Sequence, residues 1–263
     1  MRDRIYADGF KAIADHVYGT GAFPSKGIVY CTSREMKECL KAMPHSGRYV
    51  LITREFDEPV NSYLASIMPP SLVAWFAQNV EVDHPLIKAF PYGMPTSIDF
   101  QDYMDQVLNR PRSETNLVLV CMGIPTFECE SRGDRTEAME VMRSKPYATI
   151  LMDGGADSRV TPTDWYIALK AHPFVIAPCG VGSAKGGGDT MRWMEALYMG
   201  TIPILKRSYR VTRFFDDMPI ARVDNWSDIT PEWLETQRDL FQVRTLERTK
   251  LSYWIEQIKG IQL

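Results

Sequence analysis

The strongest constraint on the fold is an alternation of short apolar runs with longer amphipathic stretches along the whole chain. In the first half the apolar runs are GIVYCT (27–32), RYVLIT (48–53), LVAWFAQN and IKAFPYGM, and helical patterns cover residues 3–17, SREMKECLKAM and VNSYLASIM. Ser33, just before Arg34 and Glu35, is placed to cap the second of these helices. In the second half the runs are 116–122, YATILMD, FVIAP, TIPIL and PIARV. Helices are expected there around 132–144, from Pro162 to Lys170, over 190–199 and twice more near the C-terminus. Apolar runs of strand length separated by helix-length segments are what parallel βαβ units require, because a parallel neighbour is reached only by a long crossover. The expected class is therefore α/β.

The segment SIDFQDYMDQVLNRPRSET reads as a helix running into a polar, Pro-containing connector, and the alternation restarts at NLVLVCMG. This predicts a boundary near residue 112, with an N-terminal lobe of residues 1–112 and a C-terminal lobe of residues 113–263 whose last helix can pack back on the first lobe. A length of 263 residues accommodates either one large domain or two small ones. Two Rossmann-like lobes would leave a ligand cleft between them, at the carboxyl ends of the strands.

Charge and cysteine usage narrow the partners. Thirty Lys and Arg against 33 Asp and Glu leave a formal charge of −3, so contact with DNA or a membrane surface must rest on a local patch. Cys31, Cys39, Cys121, Cys129 and Cys179 are odd in number, scattered and without zinc-site spacing, which predicts reduced thiols in a cytoplasmic protein. With no signal-like h-region and no apolar stretch near spanning length, neither secretion nor a transmembrane segment is expected. A membrane-associated acceptor would be met from the cytoplasmic side.

The most informative segment is HPFVIAPCGVGSAKGGGDTMRWMEALYMGTIPIL (172–205). An apolar strand runs into a loop with Gly180, Gly182, Gly186, Gly187 and Gly188, then into a helix that Asp189 or Thr190 can cap. Glycines let backbone N–H groups approach an anion, and the helix N-terminus adds partial positive charge, so the segment suits a diphosphate. It is neither GxGxxG with a downstream acid nor GxxxxGK[ST], so the common dinucleotide and P-loop patterns are not supported. Arg192 and Glu195, three residues apart, share a helix face. A guanidinium suits phosphate oxygens and a carboxylate suits a ribose diol. The alternative is a surface ion pair beside an ordinary loop.

The run carried by Pro178, Gly180, Gly182, Asp189, Arg192, Glu195, Ala196, Leu197, Tyr198, Gly200, Ile202, Pro203 and Ile204 resembles the donor-binding segment of GT-B glycosyltransferases of the exostosin-like and related bacterial or viral types. WFAQNVEVDHPLIKAFPYGMP, SRGDRTEAMEVMRSKPYAT and DDMPIARVDNWSDITPEWLE are similar to three further segments of such enzymes, and the resemblance covers most of residues 48–240. It implies a GT-B-like fold of two Rossmann-like lobes. It also implies that Arg192 contacts the diphosphate and Glu195 the ribose, that Gly180 and Gly182 allow close approach, and that Arg135, with Arg132 as competitor, supplies a second phosphate contact. Cys179 stands where such enzymes often carry Arg, and Lys185 is either a substitute cation or a solvated loop lysine.

Glycosyl transfer needs a base for the acceptor hydroxyl and neutralisation of the departing diphosphate. Arg, Lys and helix-terminal N–H groups can do the second, so no cofactor and no metal are expected; no DxD pair ends a strand, and Asp216 and Asp217 read as a turn. For the base, Asp57 and then Glu55 are favoured, following YVLIT, against the alternative of a solvated acidic loop. His84 before Pro85 reads first as a turn residue, and His172 as structural. Trp75, Phe76 and Tyr92 would stack on a base or sugar, or simply fill the core. Lys206, Arg207, Arg210 and Arg213 would receive a phosphate-bearing acceptor or DNA, or form a solvated face.

The expected function is transfer of a sugar from a UDP- or GDP-sugar to a hydroxyl of a glycan or lipid-linked saccharide. The alternatives are a phage-type glycosyltransferase acting on hydroxymethylated bases in DNA and a nucleotide-binding module without catalysis.

Overall fold

The computed structural model describes residues 3–94, 98–112, 116–125, 129–152, 160–180 and 190–263. Two parallel five-stranded sheets organise an α/β fold. The first contains β1 (His16–Val17), β2 (Gly27–Thr32), β3 (Tyr49–Arg54), β4 (Leu72–Ala77) and β5 (Ile87–Ala89), side by side in chain order. All six residues of β3 are buried, as expected for a parallel strand covered on both faces. The chain moves across this sheet in one direction, which for right-handed crossovers leaves α2 (Met36–Ala42) and α3 (Ser62–Ser66) on one face.

Two local expectations change. The helix expected over 3–17 is only α1 (Ala7–Lys11). Asp15 accepts the Ile28 N–H on its carboxylate at 2.8 Å and donates its own N–H to Ile28 O, also at 2.8 Å, which draws His16 and Val17 alongside Val29 and Tyr30 as a strand. Ser33 does not cap a helix: it is buried in a 3-10 turn, where its hydroxyl donates to Phe56 O at 2.8 Å and accepts from Phe56 N at 3.1 Å. The serine thus ties the end of β2 to the loop after β3.

The second sheet contains β6 (Val118–Cys121), β7 (Ala148–Met152), β8 (Phe174–Ile176), β9 (Ile202–Lys206) and β10 (Ala221–Val223), in the order β10-β9-β8-β6-β7. From β6 the chain steps out to β7, then returns past β6 to β8, so the winding reverses between β6 and β8. In open parallel sheets such a reversal opens a crevice at the carboxyl ends of the strands. Right-handed crossovers place α5 (Glu130–Arg143) on one face and α6 (Pro162–Ala171) with α7 (Met191–Tyr198) on the other. Thr161 caps α6 by accepting the Asp164 N–H, with Pro162 at the first helical position. Gly200, with φ +74°, ends α7 in the left-handed region.

α4 (Ile98–Leu108) precedes residue 112 but packs on the second sheet: Met104 and Val107 share a core with Leu119, Tyr166, Leu169 and Val175. Residues 113–115, next to the expected boundary, lie outside the described residues. After α8 (Pro231–Gln237) and α9 (Leu240–Val243), the last helix α10 (Leu251–Lys259) reaches the first sheet, with Trp254 and Phe90 ring centroids 6.0 Å apart. Arg48 there donates to Gln262 O at 3.0 Å. The Tyr198 hydroxyl at the end of α7 accepts from Ile5 N at 3.0 Å and donates to Thr249 O at 2.7 Å, joining the N-terminal segment to the second sheet. No helix among the described residues is long and apolar enough to cross a membrane.

Candidate functional site

A cavity of about 530 Å³ opens at the carboxyl ends of β6 and β7. Its walls include Cys121 from the end of β6, Arg135 from α5, Trp165 from α6, and Thr190, Arg192 and Glu195 from the start of α7. α7 is amphipathic: it buries Trp193, Met194, Ala196 and Leu197 while its first turn borders the cavity. Three of the four described donor-site expectations, Arg135, Arg192 and Glu195, therefore converge on one site although they are drawn from two helices. Gly180 precedes this site by sequence, and Gly182, Lys185 and Asp189 lie outside the described residues.

Arg192 and Glu195 do not form the surface ion pair that sequence allowed. Glu195 is 7% exposed, and its two oxygens accept from Trp165 Nε1 at 3.0 Å and the Tyr166 hydroxyl at 2.9 Å. Burial pushes its carboxyl above the ordinary range, while those two donors and Arg192 act the other way. Arg192 lies over the Trp165 ring, 5.5 Å from its centroid, and its buried Nε meets no acceptor among the described residues. Burial draws the guanidinium below its ordinary value, opposed by Cys121 and Glu195. An arginine nevertheless stays charged. A buried donor without an acceptor costs on the order of 1–3 kcal/mol, which an anion in the cavity would offset.

Arg135 is partly committed to the scaffold. Its Nε and Nη2 donate to Cys179 O at 3.1 and 3.0 Å, and its Nη1 donates to Gly123 O at 2.8 Å. One guanidinium therefore bridges the loops after β6 and β8, across the reversal of the sheet. Each terminal nitrogen retains a second N–H, so a contact to an anion remains open to it. Burial and then the like charge of Arg192 draw Arg135 below its ordinary value, so two cations share the cavity. Arg132, the competitor, is not among the lining residues.

Asp134, one residue earlier, is a hub that local pattern does not reveal. It accepts from the Tyr209 hydroxyl, from Trp226 Nε1 at 3.1 Å and from Cys179 N at 3.4 Å, and pairs with Lys206 at 3.0 Å. These donors come from the loop after β8, from β9 and from the turns after β9 and β10.

Asp57 and Glu55 do not line the Arg192 cavity; they follow the carboxyl end of β3 in the first sheet. Their environments differ. Glu55 pairs with Lys11 at 2.5 Å and accepts from the Tyr30 hydroxyl at 2.6 Å. Burial alone would raise its carboxyl, but Lys11 and Tyr30 outweigh it and hold the group below its ordinary 4.5. Glu55 also has φ +90°, a strained conformation for a residue with a side chain, and its carbonyl accepts from the Tyr92 hydroxyl at 3.2 Å. Asp57 is exposed, yet loss of solvent to the surrounding protein, followed by Glu58, raises its carboxyl.

A folded-state value below the unfolded one means that Glu55 stabilises the fold fully above about pH 4.5, and that this is lost as pH falls through the folded value. Glu55→Gln is expected to lower Tm near neutral pH, and the gap to the wild type should close by about pH 3 in thermal unfolding followed by circular dichroism. A gap of the same size at both pH values would mean that the ion pair does not stabilise the fold.

The basic cluster after β9 is answered by carboxylates. Lys206 pairs with Asp134 and Glu137, Arg207 with Asp224 at 3.4 Å, Arg210 with Glu81 at 3.4 Å and Arg213 with Asp83 at 3.2 Å. The last two pairs reach residues following β4 of the first sheet, so the cluster holds elements together and offers little net positive field. Trp75 and Phe76 are core residues, with Trp75 Nε1 donating to Thr53 Oγ1 at 2.8 Å. His84 Nδ1 accepts the Leu86 N–H at 3.3 Å in a turn, and buried His172 bonds Ala168 O at 2.7 Å through Nδ1. Asp216 pairs with Arg222 at 3.3 Å and Asp217 with Arg248 at 2.9 Å. Among the described residues, no group of three or more His, Cys, Asp or Glu is placed to hold a metal ion, and no disulfide is formed.

Comparison with family models and with curated proteins finds no match for this chain.

Proposed function

We propose that the chain is a GT-B-type glycosyltransferase that moves a sugar from a UDP- or GDP-sugar to a hydroxyl of a glycan or lipid-linked saccharide. The observation that carries this reading is Arg192: a half-buried arginine at the N-terminal turn of a helix, lining a cavity at the carboxyl ends of a parallel sheet, with its buried Nε meeting no acceptor among the described residues. In this reading Arg192, the free N–H groups of Arg135 and the start of α7 neutralise the diphosphate as it departs, the task a divalent ion performs in metal-dependent enzymes. Glu195, held by Trp165 and Tyr166, turns its remaining lone pairs to the ribose hydroxyls. Asp57 takes the acceptor proton: its carboxyl is raised by loss of solvent and by Glu58, whereas Glu55 is lowered and already engaged by Lys11 and Tyr30.

The neutralised basic cluster favours a saccharide acceptor over DNA. The reading is tested by thermal shift and calorimetry with UDP, GDP and their sugars; a ligand at 100 times its dissociation constant adds about 2.7 kcal/mol of stability. Asp57→Asn is expected to retain donor binding and to lose about tenfold or more in donor turnover. Donor binding with no turnover in the wild type would favour a binding module, and no nucleotide binding at all would remove the reading.

A further inference from the structure

A second cavity, of about 360 Å³, lies between the first sheet and the last helix. On one side are Phe76 at the end of β4 and Lys88 on the edge strand β5; on the other are Phe214, Tyr253, Trp254 and Gln257. Tyr253 and Trp254 meet edge to face at 5.1 Å; Trp254 and Phe76 are buried, while half-buried Tyr253 and Phe214 leave ring surface at the wall. Arg248 closes the end: its Nη1 donates to Phe214 O at 2.6 Å and pairs with Asp217, its guanidinium lies 5.3 Å from the Trp254 ring centroid, and its buried Nε meets no acceptor among the described residues. None of the described lining residues is acidic.

Aromatic faces beside a side-chain amide suit a pyranose, whose C–H face packs on rings while its hydroxyls take polar partners. The exposed ammonium of Lys88 adds a point charge with no carboxylate among the residues lining the cavity. We infer that this cavity binds an anionic saccharide, with its carboxylate or phosphate at Lys88 and its ring against the aromatic wall. Its assignment as the acceptor rests on the glycosyl-transfer reading above; the binding itself does not. Because a lysine on an edge strand also discourages edge-to-edge association, the test must read ligand rather than solubility.

The probes are p-nitrophenyl β-D-glucuronide, p-nitrophenyl β-D-glucoside 6-phosphate and neutral p-nitrophenyl β-D-glucoside, titrated by calorimetry into the full chain with and without saturating UDP. At least one anionic probe is expected to bind about tenfold or more tightly than the glucoside, with the preference removed in Lys88→Glu and unaffected by UDP. Preference for the glucuronide identifies a carboxylate, and preference for the phosphate ester identifies a phosphorylated saccharide. Equal binding of all three, no binding of any, a preference that survives in Lys88→Glu, or displacement by UDP would each overturn the inference. Loss of UDP binding with the anionic preference intact would instead count against the donor site alone.

Discussion

Arg192→Ala is expected to weaken UDP or GDP binding by at least about 100-fold while leaving the fold intact. Two charge-assisted hydrogen bonds to a diphosphate are worth roughly 1.5–3 kcal/mol each, and about 1.4 kcal/mol corresponds to a factor of ten. The fold should tolerate the change because the Arg192 Nε has no described acceptor to lose, and because removing one of two like charges relieves Arg135. Relief of Arg135 is set against the loss of a cation beside Glu195 and over Trp165, so the variant's Tm is expected to stay near that of the wild type, which separates lost affinity from lost structure. Arg192→Lys keeps the charge but not the planar fork and should recover only part of the affinity. Calorimetry on the three proteins decides the matter; an unchanged dissociation constant in Arg192→Ala would remove the donor-site assignment.

What local pattern reveals here is the material of the site, and what it hides is the partnering. Strand, glycine loop and amphipathic helix around residues 172–205 are readable because each depends on neighbours within a few positions. Arg192 and Glu195 could accordingly be placed on one helix face. That Glu195 is held by Trp165 and Tyr166 depends on α6 lying beside α7, which follows from the reversed winding of the second sheet and from no local spacing. The only hint was a Trp-Tyr pair just after the Pro162 helix start. The same limit explains the basic cluster: four cations within eight residues look like an anion site until Glu81 and Asp83, some 130 positions earlier, are brought against them. It also explains the N-terminus, where an amphipathic pattern over 3–17 yields to the pull of β2 on Asp15, His16 and Val17.

Asp134→Ala is expected to cost about 3–5 kcal/mol of stability, the largest structural effect among the changes considered. The side chain of Asp134 is 11% exposed, and its loss strands the Tyr209 hydroxyl and the Trp226 indole N–H and leaves the Lys206 ammonium with Glu137 as its remaining carboxylate. Water cannot readily replace the carboxylate, because Trp226 is fully buried and Tyr209 is 4% exposed. For a chain of this size the loss corresponds to a Tm lower by roughly 10 °C. Asp134→Asn should lie between: its oxygen still accepts, but its amide group turns donors toward donors. Combining Asp134→Ala with Tyr209→Phe should cost less than the sum of the single changes, since the second removes a donor the first has already stranded. The effect should also reach the cavity. Asp134 accepts the Cys179 N–H while Arg135 donates to the Cys179 carbonyl, so consecutive residues of α5 grip one residue, through its two flanking peptides, in the loop after β8. Loosening that grip should weaken nucleotide binding several-fold, well short of the Arg192→Ala loss, because the charges remain and only their spacing relaxes. A Tm within about 2 °C of the wild type would show that the hub is not a stabilising element, and the coupling between fold and site argued from it would fall with it.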